Sequence, residues 1–98
     1  MTGHVLTVTS AVVPPGAQDA VVEAYRDVTA ALPHMVLDTA LVRGEGDEFR
    51  IITLWQSREQ WDEYRREVDT PAAVKIFRDA GAEPTVAAYE VMHRATTG

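Results

Sequence analysis

The chain changes its apolar period several times, and each change predicts an element. Residues 4–13 read HVLTVTSAVV, a Val- and Thr-rich run that predicts a strand. Pro14-Pro15-Gly16 stops it, because proline has no ladder donor and glycine permits a turn. Over 17–32 the spacing becomes helical: Val21, Ala24, Tyr25, Val28 and Leu32 share one side, with Asp19, Glu23, Arg26 and Asp27 mostly opposite. Pro33 ends this helix by driving the residue before it out of the α region. Period two returns over 35–43. Met35, Leu37, Thr39 and Leu41 fall on one face, and Val36, Asp38, Ala40 and Val42 on the other. Gly44-Glu45-Gly46-Asp47 predicts a hairpin loop, and 48–55 the returning strand.

Ser57 with Gln60 three positions on forms a capping box, and the helix behind it carries Trp61, Tyr64 and Val68 on one stripe. Thr70 reads as a second N-cap, with Pro71 as the first residue of a further helical piece. Ala73, Val74, Ile76 and Phe77 give that piece an apolar side, and Gly81 ends it. A last strand is expected over 85–93, and 95–98 reads as a frayed tail. The order is β-α-β-β-α-β, which predicts an α+β, ferredoxin-like antiparallel sheet. Both faces of the strands are largely apolar, so the face without helices needs a cover. A second copy in a symmetric homodimer is the simplest one.

Length and charge narrow the functions. Ninety-eight residues make one domain, 1–98, small enough to gain from burying a second face. Fifteen acidic residues against nine basic ones give a net charge of −6, which repels phosphate backbones and argues against nucleic acid. No basic amphipathic helix suggests a membrane surface. Without cysteine there is no disulfide and no thiolate chemistry. Met1-Thr2-Gly3-His4 opens no signal peptide and no apolar span follows, so a cytoplasmic protein is expected. There is no G-x-S-x-G, P-loop or G-x-G-x-x-G.

Aromatic side chains are the leading candidates for chemistry. Trp55, at the end of a strand, suits a π wall over a flat substrate. Trp61, Tyr64 and Phe77 form an aromatic set at helical spacing, which serves equally as core. The Tyr89 hydroxyl is a candidate partner for a substrate oxygen, and Thr9 and Thr53 are candidates to place hydroxyls in a cleft. His34 is the candidate base for a phenolic proton. The three histidines are far apart and show no metal-ligand spacing, so no metal is expected. Asp38, a lone carboxylate in an apolar strand, is a site candidate if buried, and structural if it faces a groove edge or pairs with Arg50 across the hairpin. Asp62 and Arg66 suit an i,i+4 pair on a solvated helix face.

Some of these features together resemble a known family. They are the Pro15-Gly16 turn, the Leu54-Trp55-Gln56-Ser57 junction, Trp61 shortly beyond it, and Thr70-Pro71. In that order and spacing they resemble the antibiotic biosynthesis monooxygenase domains of the dimeric α+β barrel superfamily, over nearly the whole chain. The resemblance implies a homodimer whose sheets close a barrel, with a ligand cleft between sheet and helices. One branch oxidises anthrones and related polyketide aromatics with molecular oxygen and no metal or flavin. Its junction Trp falls on Trp55, its nearby Tyr on Trp61, its Asn on Ile51 and its Arg on Phe77. The aromatic walls persist and two polar groups do not. A second branch opens haem with an Asn, a Trp and a His ligand, which fall on Thr9, Tyr64 and Phe77. All three differ, which disfavours haem degradation. The resemblance therefore implies a monooxygenase without a cofactor, acting on a small aromatic quinol, phenol or anthrone. Trp55, Trp61, Tyr64, Phe77 and Tyr89 would bind the substrate, and His34 would be the base. The rival readings are a non-catalytic binding or structural dimer and a polyketide-cyclase-like enzyme.

Overall fold

The computed structural model describes residues 3–97. Met1, Thr2 and Gly98, the ends of the expected domain and tail, lie outside the described residues. Strand β1 (Val5–Val12) leads through a 3₁₀ turn (Pro15–Ala17) into α1 (Gln18–Thr29). The hairpin β2 (Val36–Arg43) and β3 (Glu48–Trp55) follows, then α2 (Arg58–Glu67), α3 (Ala72–Asp79) and β4 (Thr85–Glu90). The sheet order is β2-β3-β1-β4, and all neighbours are antiparallel. This is the expected α+β ferredoxin-like fold.

Local chemistry accounts for most boundaries. Ser57 Oγ accepts from the Gln60 N–H at 3.1 Å and starts α2. Gly46 turns the hairpin at φ 66°, and the Gly44 N–H meets the Glu48 carbonyl at 2.8 Å. Gly81, at φ 81°, ends α3: its N–H bonds the Arg78 carbonyl while the Ala82 N–H bonds the Phe77 carbonyl. That pair of bonds is the Schellman arrangement.

Three expected boundaries need correction. Helix α1 stops at Thr29, ahead of Leu32 and Pro33. The Thr29 hydroxyl bonds the Tyr25 carbonyl at 2.8 Å within this last turn. At α3, Pro71 is the N-cap rather than the first helical residue, with an extended ψ of 143°, and Thr70 supplies no cap. The free N–H of Ala72 instead donates to Tyr64 Oη at 3.0 Å, so a side chain of α2 caps α3. Strand β4 ends at Glu90, with one further bond from the Val91 N–H to the His4 carbonyl.

The expected face assignment in β2 is also corrected. Val36 pairs with Trp55 and Asp38 with Leu54, so the register shifts at a bulge between them. The bulge puts Val36 and Thr39 on the same face, together with Leu41, although simple alternation separates Val36 from them.

The helices cover one sheet face. Ala11, Val13, Val21, Phe49, Ile51, Ile76, Phe77 and Ala82 form one buried cluster, and Val5, Trp55 and Trp61 a second. The other face presents Leu6, Val8, Ile52, Leu54, Val42 and Tyr89, placed there by the pairing register. No helix of the described residues is long and apolar enough to cross a membrane.

Candidate functional site

A cleft whose space, open solvent at its mouth included, is about 620 Å³ lies between the helices and the covered sheet face. It separates the two buried clusters. Thr7, Thr9, Ile51, Thr53 and Thr39 form its floor, Tyr25, Val28 and Leu32 line the α1 side, and Ala73, Val74 and Ile76 the α3 side. Val28, Leu32 and Val86 are apolar yet more than a third exposed, which marks the mouth.

One end is an aromatic wall. Trp55 ends β3, where cross-strand Val5 and Val36 flank it, and α2 brings Trp61 and Tyr64 onto it. Ring centroids are 4.7 Å apart for Trp55 and Trp61, 5.0 Å for Trp55 and Tyr64, and 5.9 Å for Trp61 and Tyr64. These spacings lie within the attractive range for offset or tilted rings. Trp55 Nε1 donates to Thr7 Oγ1 at 3.0 Å, which fixes the indole plane. The Arg65 guanidinium lies 5.1 Å from the Trp61 ring.

Arg65 is in turn tethered to Asp62, which Arg58 also reaches at 3.6 Å. These pairs replace the expected Asp62–Arg66 pair. The Arg65 hydrogen bond, helped by the charges of Arg65, Arg58 and Arg66, outweighs desolvation and holds the Asp62 carboxyl below its ordinary range. Whatever this cluster adds to stability is therefore present above the ordinary carboxylate pKa and fades as pH falls through the lowered value.

The floor is polar within an otherwise apolar cavity. Thr7, Thr53 and Thr39 stand directly opposite one another across β1, β3 and β2. Tyr25 Oη donates to Thr39 Oγ1 at 3.1 Å, and the Thr39 and Thr53 hydroxyls are 3.2 Å apart. Among the described residues no Asp, Glu, His, Lys or Arg lines the cavity. Among the described residues no three His, Cys, Asp or Glu side chains gather to hold a metal.

The structure brings together Trp55, Trp61, Tyr64, Thr9 and Thr53 and separates the other candidates. Phe77 is 0% exposed in the core cluster and absent from the cavity lining, because the rotation of α3 gives Val74 and Ile76 to the cavity. Tyr89 pairs with Leu6 and is 55% exposed on the sheet face away from the helices, so it does not line this cleft. His34 is exposed in a turn closed by the Val36 N–H and the Pro33 carbonyl, and the lining stops at Pro33. Asp38 accepts from the Thr39 N–H at 2.9 Å, while Arg50 pairs with Glu48 at 3.2 Å. The register explains the lost Asp38–Arg50 pair, since Arg50 stands opposite Val42. Tyr25 was not among the candidates, since its position on the α1 stripe reads as packing. Its only signal is a hydroxyl in an otherwise aliphatic stripe. A haem held through a histidine does not fit these residues, since among the described residues no imidazole lines the cavity.

Comparison with known proteins agrees with this geometry. The profile of the family described as antibiotic biosynthesis monooxygenase matches residues 4–80. No curated protein matches the sequence. Among solved structures, a heme-degrading protein from Mycobacterium tuberculosis is similar at a TM-score of 0.73 and 18% identity, covering 99% of this chain and 100% of that one. A candidate antibiotic biosynthesis monooxygenase from Caulobacter crescentus reaches 0.70 and 16%, covering 94% and 92%. Another from Deinococcus radiodurans reaches 0.71 and 10%, covering 96% and 98%. At these identities the structural likeness speaks for the fold.

Proposed function

We propose, from the premise that this chain belongs to the antibiotic biosynthesis monooxygenase family, that its cavity binds a small, flat, oxygen-bearing aromatic molecule and oxidises it with molecular oxygen. The observation that carries the reading is the wall of Trp55, Trp61 and Tyr64 standing over a threonine floor in an otherwise apolar cavity. A flat ring stacks on such a wall, and its oxygen substituent meets the floor. An electron-rich quinol or anthrone, once deprotonated, gives electrons to oxygen by itself. The protein then has only to orient it, exclude water and stabilise the anion. For an anthrone the ring CH₂ becomes C=O: one atom of dioxygen enters the product, and the other leaves as water with the two hydrogens of the CH₂. Trp55 and Trp61 are the walls in this account and Tyr64 their continuation. Phe77, Tyr89 and His34 take no part.

The test is oxygen uptake by chelator-treated protein against a panel of quinols and anthrones. Uptake that saturates with substrate and matches quinone formation is expected. A second reading, a binding protein without turnover, is favoured by Ile51 and Phe77 standing where the resemblance places polar groups. Tight binding of a flat aromatic with no uptake across the panel would select it, and product rearrangement without uptake would select a cyclase.

The active form in this account is a homodimer. Its interface is the sheet face without helices, where Val42 is 39% and Tyr89 55% exposed. Sedimentation at micromolar concentration is expected to give twice the chain mass, and a stable monomer would overturn this assembly.

A further inference from the structure

The floor of the cavity holds more hydroxyl protons than its own bonds consume. A threonine hydroxyl has one proton to give and two lone pairs to receive. Thr39 Oγ1 accepts from Tyr25 at 3.1 Å, and the 3.2 Å contact between the Thr39 and Thr53 hydroxyls takes one proton, from either of them. One of these two threonines therefore keeps its proton, and it is Thr53 when Thr39 is the donor. Beside it, directly opposite across β1 and β3, Thr7 Oγ1 accepts from Trp55 Nε1 at 3.0 Å. An indole N–H only donates, so the Thr7 proton is unspent as well. Neither hydroxyl bonds a backbone carbonyl among the described residues, although the Thr29 hydroxyl does so. Both residues are buried, Thr7 at 4% and Thr53 at 9% exposure. A buried donor without a partner has lost its bond to water, so a ligand acceptor placed here gains by meeting it. Each donor is also polarised by the bond it receives.

We infer that Thr39 donates to Thr53, and that Thr7 and Thr53 then form a two-donor site for an anionic ring oxygen, so that this cavity prefers a phenolate to the corresponding phenol. The inference rests on the reading of the cavity as an aromatic-binding site and names what selects the ligand within it. It also supplies what the cavity otherwise lacks. Among the described residues no basic or cationic side chain lines it, so the phenolate on which oxygen chemistry depends is stabilised here by neutral donors. The Tyr25–Thr39 pair is a positioning element that acts through Thr53.

The direction of one pKa shift tests this. An apolar pocket disfavours the charged form and raises the pKa of a bound phenol, whereas two donors to the anion lower it. The probe is 4-nitrophenol, whose phenolate is read from its visible absorption, titrated with and without excess protein. In the wild type the apparent pKa of the bound probe is expected to fall by about one unit, a tenfold preference for the phenolate. In Thr7→Val/Thr53→Val it is expected to rise above the free value. Each single variant is expected to lose part of the shift, which serves if the double variant does not fold. Binding of 4-nitroanisole, followed by quenching of tryptophan fluorescence, reports separately whether the cavity takes a flat aromatic. If nitroanisole binds while the nitrophenol pKa is unchanged or raised in the wild type, the donor pair is overturned and the aromatic site stands. An equal fall in wild type and threonine variants overturns the donor pair too. If neither probe binds, both readings fall.

Discussion

Replacing Trp55 by alanine is expected to destabilise the fold by about 3–5 kcal/mol and to abolish binding of flat aromatics. The side chain is 5% exposed and joins Val5 and Trp61 in one buried cluster. Its removal deletes both short ring contacts, at 4.7 and 5.0 Å, and leaves Thr7 without the donor at 3.0 Å. The hole opens toward the existing cavity, so neighbouring groups have little reason to close over it. A domain of this size commonly holds about 5–15 kcal/mol in total, so the variant is expected to remain folded in cool buffer while losing much of its margin. Urea unfolding gives the stability, and fluorescence of the remaining Trp61 gives the affinity. A loss below about 1 kcal/mol with affinity unchanged would contradict both roles assigned to Trp55.

Phe77→Ala is expected to cost a similar ~3–5 kcal/mol and to leave ligand affinity as it was. Phe77 is fully buried among Val13, Val21 and Ile76, in the cluster on the far side of the cavity from the tryptophans. Its truncation leaves a hole inside the core instead of widening the site. The comparison with Trp55→Ala is therefore informative: two large aromatic deletions of equal stability cost, one of which removes binding. Affinity is measured under conditions where both variants are folded. A parallel loss of affinity in Phe77→Ala would put that ring in the cavity wall and contradict its placement.

Elements governed by neighbours in sequence were legible without the structure. The N-cap at Ser57, the glycine hairpin at Gly46 and the stop at Gly81 each depend on residues within a few positions, and each formed; the return half of the capping box did not, since Gln60 Oε1 has no partner among the described residues. The aromatic wall was legible for the same reason, since Trp55, Trp61 and Tyr64 lie on one strand end and the helix that follows it.

What needed tertiary register was not legible. The bulge in β2 leaves no mark in Val36-Leu37-Asp38, yet it decides that Thr39 faces the cavity. The line of Thr7, Thr53 and Thr39 exists only once three strands are paired, so single threonines read as ordinary strand formers. Tyr89 falls on the face away from the cleft, and Val86-Ala87-Ala88-Tyr89, apolar at successive positions, gives no alternation from which to read that. Phe77 and Ile76 are neighbours in sequence, about 100° apart around the helix, and that rotation lets Ile76 reach the cavity from the core while Phe77 does not. His34 looked suited to catalysis by type alone, and the turn at Pro33 leaves it in solvent.

The most direct test of the account is turnover of an anthrone under isotopically labelled dioxygen by chelator-treated wild-type protein, with the product weighed by mass spectrometry. The account predicts one labelled oxygen atom in each quinone formed, at a rate that saturates with substrate and vanishes in Trp55→Ala. Unlabelled product, or a rate equal to that of the protein-free reaction, would contradict it.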